Sequence, residues 1–368
     1  MKNITIKREQ FQEKLIPHCG NQFLIGNGYF GIRGTMEEYR KKQMPSVNLA
    51  GIYDRVGNAW RESVNAPNPL YTVLCVDGER FSLPDREPTE HVQSLSIIDA
   101  IHHRKTVWNT NRGCVKVECE RFASMADQHK IGMKYTVALD FDAEVEILTG
   151  IDGDVWDING PHFCRIITNA ENGTESVIGI TGEKQIQVTV SQQVQPECSC
   201  TERTETNDFC AVKRLSFHAE AKKKYSFTKI AEVETSCDEF PRREGEISYE
   251  TAKTEHIAAW RKIWDCSYIE IDGDEEAEQD LNYSIYHLNC IAPRNMQDKS
   301  IAARGLSGQV YKGAVFWDTE MFMIDYFIHT APEVAKTLIH YRISTLDGAR
   351  NKAREYGLDG AYYAWERQ

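Results

Sequence analysis

The spacing of the apolar residues changes once along this chain of 368 residues, and that change limits what the chain can fold into. Before about residue 245, apolar and polar side chains alternate in short segments, which is typical of β-strands with one buried face. After about residue 248, apolar side chains recur every three or four residues, as on one face of a helix. The sequence therefore predicts a multidomain chain in which β structure precedes α structure.

The β part is predicted to be an N-terminal antiparallel β-sandwich over residues 1–247. Alternating segments are found at 115–122, 186–190 and 209–217, with turn-forming residues between them. No amphipathic helix pattern separates these segments, which argues against a parallel sheet with crossover helices.

The segment Gly26-Asn27-Gly28-Tyr29-Phe30-Gly31 has the glycine spacing of a dinucleotide-binding loop. Such a loop needs a helix after it, because the helix N-terminus holds the pyrophosphate. Here no helical pattern follows and Pro45 comes soon after. We therefore interpret the glycines as tight turns between strands at a domain surface, and expect no nucleotide cofactor.

A helical linker is predicted over residues 248–292. His256, Trp260 and Trp264 share one face of its first helix, and both tryptophans are expected in the core. Asp274 has the position and the side chain of an N-cap for its second helix.

Two further helices are predicted after residue 330. Thr330-Ala331-Pro332-Glu333 has the pattern of a capping box with proline in the first turn. The next helix is predicted over 345–356 and ends at Gly357. The two helices would form a hairpin, which is the first unit of either an α/α barrel or an α-solenoid.

Composition excludes two classes of partner. Lys and Arg total 43 against 55 Asp and Glu, a net charge of −12, so the surface repels phosphodiester backbones. No uncharged apolar run approaches the roughly 18 residues of a membrane-spanning helix. We therefore expect no binding to nucleic acid and no membrane insertion.

The eleven cysteines, in a chain whose residues 1–8 lack the apolar core of a signal peptide, indicate reduced thiols and a cytoplasmic location. Cys198 and Cys200, with Cys210 and His218, could suggest zinc. Their spacing differs from a zinc knuckle and the region has strand patterns, so we predict no metal site.

The run 316–323 places Trp317, Asp318 and Glu320 among apolar neighbours. Carboxylates in such surroundings are costly unless they are hydrogen-bonded. A sugar could supply those bonds, with its ring on the aromatic face and its hydroxyls donating to the acids. A helix N-terminus explains the same residues, with Asp318 as cap and Glu320 near the positive end of the dipole.

A polar, glycine-rich loop leads directly into this run. It extends from Arg304 to Gly313 and contains three glycines, a serine, an arginine and a lysine. A ligand pocket at the mouth of a helical barrel requires such a loop, although an ordinary interhelical loop can have the same composition.

Four motifs in a fixed order give the chain a family likeness. They are GNGYFGIRG at 26–34, ARGLSG at 303–308, YKG at 311–313 and FWDTE at 316–320. The match continues through residues 341–350. Together these motifs resemble glycoside hydrolase family 65, the inverting α-glucoside phosphorylases that act on maltose, kojibiose, nigerose or trehalose.

The resemblance implies an N-terminal β-sandwich, a helical linker and, over 293–368, the beginning of an (α/α)6 catalytic barrel. It also implies phosphorolysis, in which an α-linked glucose disaccharide and inorganic phosphate give β-glucose 1-phosphate and a sugar. One carboxylic acid protonates the glycosidic oxygen while phosphate attacks the anomeric carbon. Phosphate is then a co-substrate, no metal or organic cofactor is needed, and a homodimer is one assembly that the resemblance suggests.

The resemblance assigns contact with the glucose unit to Trp317 and Asp318. With Arg304 and Glu320 they make up our predicted substrate-binding site. Family members are roughly twice as long, and their general acid lies beyond the position matched by residue 368. We therefore assign no catalytic residue and expect the chain to be a truncated, inactive portion of the barrel enzyme.

Two other functions stay open at this point. One is hydrolysis of the same linkage by water, which needs a second carboxylate to activate the water. The other is a non-catalytic carbohydrate-binding or interaction protein.

Overall fold

The computed structural model describes residues 1–171, 173–238, 243, 245–308 and 310–367, and for Lys312 the backbone alone. Gln309 of the predicted ligand loop therefore lies outside the described residues. The strands are β1 (Thr5–Glu9), β2 (Ile25–Gly26), β3 (Phe30–Ile32), β4 (Val47–Asp54), β5 (Glu62–Asn65), β6 (Thr72–Val76), β7 (Glu79–Phe81), β8 (Glu90–Ser96), β9 (Ile101–Thr110), β10 (Gly113–Ala123), β11 (Lys130–Leu139), β12 (Ala143–Asp152), β13 (Phe163–Glu171), β14 (Thr174–Thr181), β15 (Gln187–Pro196), β16 (Thr201–Thr206), β17 (Cys210–Ala219), β18 (Lys224–Thr235), β19 (Val315–Phe316) and β20 (Glu366–Arg367).

Apart from one short helix near the N-terminus, the α-helices come after β18, and the short strands β19 and β20 lie among and after them. The helices are α1 (Ile16–Gln22), α2 (Tyr249–Ser267), α3 (Glu275–Ile291), α4 (Ile324–Thr330), α5 (Pro332–Ser344) and α6 (Leu346–Glu355). None of the described helices is long and apolar enough to cross a lipid bilayer.

The N-terminal part is the predicted antiparallel β-sandwich. A nine-stranded sheet has the order β1-β8-β9-β10-β11-β18-β15-β14-β13, and a five-stranded sheet has the order β16-β17-β12-β6-β7. Val117 and Val233 of the first sheet share one apolar core with Ile147 and Leu215 of the second. A four-stranded sheet, β2 to β5, contributes further residues to that core.

The core of the sandwich also contains fully buried ion pairs. The Arg121 guanidinium lies against Glu37 and donates to the Thr35 carbonyl oxygen. Arg104 donates to Glu37 at 2.8 Å and binds both oxygens of Glu38. Buried charges of this kind are tolerated because each one has an opposite charge and hydrogen bonds.

Helices α2 and α3 pack against the sandwich, as the linker prediction requires. Trp260 and Trp264 are 0% and 1% exposed, which confirms that they are core residues. The Trp260 ring stacks on Tyr286 of α3 at 5.2 Å between centroids. Asp274 accepts from the Ala277 amide at 3.0 Å, so the predicted N-cap is confirmed. The domain boundaries at 247 and 292 stay predictions.

His256 joins α2 to the sandwich through both ring nitrogens. Its Nδ1 accepts from the Met125 amide at 3.1 Å, and its Nε2 lies 2.9 Å from the Asp99 carbonyl oxygen. A ring that accepts at one nitrogen and donates at the other is neutral. Burial lowers the pKa of His256 to about 4.

This histidine makes the fold acid-sensitive. An unfolded histidine binds its proton near pH 6.5, so between pH 6.5 and 4 the unfolded chain holds a proton that the native chain does not. His256 therefore contributes stability above pH 6.5, which is lost as the pH falls at about 1.4 kcal/mol per pH unit. The free energy of unfolding can be measured by urea denaturation at a series of pH values. Its slope against pH between 4 and 6.5 should be smaller by about 1.4 kcal/mol per pH unit in His256→Gln. Equal slopes in the two proteins would contradict the assignment.

The dinucleotide-like segment forms a hairpin, as predicted, with Gly28 in the turn and Gly26 paired with Gly31 across β2 and β3. The segment is buried, so its predicted place at a surface is wrong. Gly28 has φ +87°, and its amide donates to the Cys290 carbonyl oxygen at 2.8 Å. A Cβ at this position would lie 1.9 Å from the Ala292 carbonyl oxygen. The turn thus lets the sandwich approach the end of α3 closely.

Gly28→Ala is expected to destabilise the fold by about 3 kcal/mol, because it adds both backbone strain and a clash with backbone. The matched control is Gly78→Ala, where φ is +81° and nothing lies within 4 Å of the added Cβ. Strain alone should cost the control about 1 kcal/mol. Urea denaturation measures both, and equal losses would show that the contact with Ala292 is unimportant.

The predicted capping box at Thr330 is wrong. Thr330 is the last residue of α4, and its hydroxyl donates to the Tyr326 carbonyl oxygen at 2.8 Å. Ala331 occupies the N-cap position of α5 and Pro332 begins the helix. The predicted end of α6 is confirmed, because Gly357 follows it with φ +68°.

All eleven cysteines are free thiols. Cys210 and His218, two of the residues weighed for zinc, lie near opposite ends of β17. Cys210 contacts Asp152 at 3.3 Å, whereas His218 pairs with Glu144 at 2.8 Å. The structure therefore does not bring these two side chains together.

Candidate functional site

The candidate site lies where the chain re-enters helical structure after α3. Strand β19 is followed by Trp317 and Asp318, and then by a π-helical turn over Thr319–Met323 that continues into α4. π-helical turns are rare in proteins and are frequently found at functional sites.

Two of the motifs that gave the family likeness contact each other here. Arg33 donates to the Ser307 carbonyl oxygen at 3.2 Å. A Cβ on Gly31 would lie 2.4 Å from the Leu306 Cβ, so only glycine permits this approach. The segments 26–34 and 303–308 are distant in sequence but form one interface.

The loop before β19 rests on the hairpin of β4 and β5. The Tyr53 hydroxyl donates to the Gly313 carbonyl oxygen at 2.8 Å, and burial raises the pKa of Tyr53, which keeps the hydroxyl protonated. A Cβ on Gly313, whose φ is +75°, would lie 2.7 Å from the Ser63 Cβ. This glycine of the loop thus serves a close backbone approach to the sandwich.

Trp317 is half-buried in an aromatic cluster. Its indole nitrogen donates to the Ala364 carbonyl oxygen at 2.8 Å, and Trp365 meets it edge-on at 5.2 Å. Phe316 contacts Trp365 and Tyr311 in the same edge-on manner, at 5.8 and 5.4 Å. Tyr311 and Trp365 are 52% and 59% exposed, so aromatic surface faces solvent beside Trp317.

Asp318 is half-buried and has no hydrogen-bond or ion-pair partner among the described residues. Its backbone is helical, and its side chain does not accept from the amides of the following turn. Asp318 occupies the N-cap position of this turn but makes no capping hydrogen bond, so the helix-cap explanation does not account for its carboxylate. Its carboxylate is available to a ligand.

Glu320 is held by a cation from α5. Its Oε2 accepts from Arg342 at 2.7 Å, and the same Arg342 nitrogen donates to the Phe316 carbonyl oxygen at 2.8 Å. The other oxygen, Oε1, is buried without a hydrogen-bond partner among the described residues. Glu320 thus has a fixed orientation and one buried oxygen whose capacity to accept a hydrogen bond is unused.

Arg304 lies apart from this group in its contacts. Its side chain is exposed, and its carbonyl oxygen accepts from the Ser307 hydroxyl at 3.0 Å. No described contact joins its guanidinium to Trp317, Asp318 or Glu320. Its role in binding stays a prediction.

Sequence reasoning missed the residues that complete this site from a distance. Strand β20 pairs with β19, which brings Trp365 onto Trp317. Tyr363 donates to the Arg342 carbonyl oxygen at 2.8 Å. Arg342 lies within α5, in the segment 341–350 that continues the family likeness, but the likeness did not indicate its contact with Glu320.

Chemically, the arrangement suits a polyhydroxylated ring. Exposed aromatic faces can pack on C–H groups of a sugar. The unpaired carboxylate of Asp318 and the carboxylate of Glu320, which has one unpaired oxygen, can accept hydrogen bonds from its hydroxyls. Glu320 is paired with Arg342 and Asp318 is only half-buried, so neither acid has the enclosed apolar setting that marks a proton donor.

Two family profiles match the chain. Residues 6–263 match "Glycosyl hydrolase family 65, N-terminal domain" and residues 282–368 match "Glycosyl hydrolase family 65 central catalytic domain". A solved structure named "Putative kojibiose phosphorylase from human microbiome" superposes with a TM-score of 0.88 at 18% identity, covering 100% of this chain and 52% of that one. This shows that the two share a fold.

Curated relatives are similar along nearly the whole chain. The nigerose phosphorylase of Lachnoclostridium phytofermentans is 45% identical, with 100% of this chain and 53% of the relative covered. The 1,2-alpha-glucosylglycerol phosphorylase of Bacillus selenitireducens is 32% identical, with coverage of 94% and 46%. The kojibiose phosphorylase of Halothermothrix orenii is 30% identical, with coverage of 99% and 50%.

The chain spans about half the length of these curated relatives. The two profiles together account for most of its residues, and the first alone covers more than half of them. This chain belongs to glycosyl hydrolase family 65.

Proposed function

We propose that this chain is the N-terminal portion of an inverting phosphorylase of α-linked glucosides. In the reaction, a glucoside such as a disaccharide and inorganic phosphate give β-glucose 1-phosphate and the released sugar or alcohol. The observation that carries the proposal is the Trp317–Glu320 segment, which presents an indole, a free carboxylate and a half-free carboxylate in a chain whose relatives are named as phosphorylases.

Within this proposal, Trp317 and Asp318 bind the glucose unit and Glu320 accepts one of its hydroxyls. Arg342 holds the Glu320 carboxylate in position through an ion pair at 2.7 Å. Arg304, whose guanidinium is exposed and unpaired among the described residues, is the fourth binding group and suits an anionic or hydroxyl partner. None of the four is assigned proton donation.

The chemistry needs one proton donor and one nucleophile. Phosphate is already an anion, so no second carboxylate has to activate water. No metal or organic cofactor takes part in this step. We further propose that α4, α5 and α6 begin the (α/α)6 barrel, and that the protein acts in the cytoplasm, where phosphate and reduced thiols are both present, and as a homodimer.

The test is a chimaera in which this chain replaces the aligned half of the nigerose phosphorylase from Lachnoclostridium phytofermentans. Glucose 1-phosphate release from nigerose, kojibiose, maltose and trehalose would be measured with and without phosphate. We expect release from at least one of them, only with phosphate. Asp318→Asn should lower the rate by about 100-fold, a loss of about 2.7 kcal/mol in transition-state binding.

The matched control is Asp325→Asn, an exposed acid one helical segment later that has no partner among the described residues. Its rate should equal that of the unmutated chimaera. A folded chimaera that binds glucose and releases no glucose 1-phosphate from any substrate would favour a carbohydrate-binding protein instead.

A further inference from the structure

A buried group of three acids and one histidine lies in the sandwich, and the proposed function does not use it. Asp54 ends β4 and Glu62 begins β5, while Asp157 and His162 lie between β12 and β13. Each of the four side chains is at most 4% exposed. At this degree of burial, water does not solvate these charges.

The histidine is oriented by one of the acids. His162 Nδ1 lies 3.0 Å from Asp54 Oδ2, so Nδ1 donates to Asp54 whether the ring is neutral or protonated. In the protonated ring Nε2 also carries a hydrogen, which a metal ion would replace. That Nε2 is buried and makes no hydrogen bond of acceptable geometry within the described chain. It faces Glu62 Oε1 at 2.7 Å and Asp157 Oδ1 at 4.0 Å.

The group has an excess of negative charge. Three carboxylates face a single imidazole, and no Lys or Arg side chain pairs with any of them among the described residues. Two nearby arginines, Arg55 and Arg61, pair with Glu183 instead. Hydrogen bonds offset part of this charge: the amides of Ile158 and Asn159 and the Asn159 side chain donate to Glu62, and the Glu183 amide donates to Asp54. Even with His162 protonated, one positive charge faces three carboxylates, so a bound cation would complete the charge balance.

We propose that Glu62, Asp157 and His162 bind a divalent metal ion, with zinc as the best fit, and that Asp54 positions His162 as a ligand. The three ligand atoms lie within 4.8 Å of one another, so small side-chain shifts would bring all three to about 2.0–2.2 Å from one zinc ion. An imidazole ligand favours zinc over calcium or magnesium. A carboxylate on the far ring nitrogen is the usual second partner of a metal-bound histidine.

The ion would connect two separate parts of the sandwich. It would fix the β4–β5 hairpin to the segment before β13. The same hairpin supports the loop of the candidate site, because Tyr53 donates to Gly313 at 2.8 Å. No sequence pattern indicates this site, because Glu62 lies far from Asp157 and His162 along the chain. It would be a structural ion, so the proposal does not depend on the enzymatic function.

The test uses the untagged 368-residue chain, stripped with EDTA and titrated with zinc. Because eleven cysteines can bind zinc by themselves, the readout is the difference between the unmutated chain and its variants. We expect the unmutated chain to retain one more equivalent of zinc than His162→Gln, and its thermal midpoint to rise by about 3–8 °C with zinc. Calcium should give no such rise.

Asp157→Asn is a second variant that keeps the side-chain shape. It tests the site even if His162→Gln does not fold. It should also lose the extra equivalent and the midpoint shift. The control is His218→Gln, which removes an exposed histidine paired with Glu144 and should behave as the unmutated chain. The proposal is overturned if the unmutated chain and both site variants bind the same amount of zinc, or if zinc leaves the midpoint of the unmutated chain unchanged.

Discussion

Replacing Asp318 by alanine is expected to weaken glucose binding by the isolated chain by about 10- to 100-fold. The carboxylate is half-buried and has no described protein partner, so its lone pairs are free for sugar hydroxyls. A hydrogen bond to a charged acceptor contributes about 1.5–3 kcal/mol, which corresponds to this range. Because no described protein bond is lost, the fold should keep its stability.

A glucose titration followed by NMR measures the effect, with Asp325→Ala as the matched control. That residue is another exposed acid of the same helical region. We expect unchanged affinity in the control. If both variants bind glucose like the unmutated chain, Asp318 does not contact the sugar and the candidate site is misplaced.

The second large effect is expected deep in the sandwich. Arg121→Met should lower the free energy of unfolding by about 3–5 kcal/mol, because it removes one partner of a buried ion pair. Glu37, which is 0% exposed, would then keep only Arg104 against its charge. Methionine retains most of the volume, so the loss reports charge and hydrogen bonding more than a cavity.

Arg112→Met is the control for this prediction. Arg112 pairs with Asp77 at the surface, where both side chains are at least 35% exposed. Solvent screens such pairs, so the loss should stay below about 1 kcal/mol. Urea denaturation measures both variants. Equal losses in the free energy of unfolding would contradict the prediction.

Sequence patterns predicted those parts of the fold that depend on interactions between residues close together in the chain. The alternation at 115–122 became β10, whose buried residues alternate in the same way. Asp274 was predictable as a cap because an N-cap depends on one side chain and one nearby amide. The capping box at Thr330 failed because α4 ends where α5 begins, so the threonine hydroxyl bonds backwards to Tyr326.

Long-range pairing was beyond sequence reasoning. The segment Trp317–Glu320 could be singled out by its composition, but nothing local indicated that Trp365 would pack on Trp317 or that Arg342 would hold Glu320. The buried group around His162 is a stronger example. Each member lies in unremarkable strand or loop sequence, and only the fold places them together.

The most direct test of the central claim is the sugar product formed by the chimaera in phosphate buffer. Proton and phosphorus NMR identify the product and its anomeric configuration, which is stable because a sugar 1-phosphate does not mutarotate. We expect β-glucose 1-phosphate, in amounts equal to the sugar released from the other side of the bond. Free glucose in place of the sugar phosphate, with phosphate in excess, would contradict it.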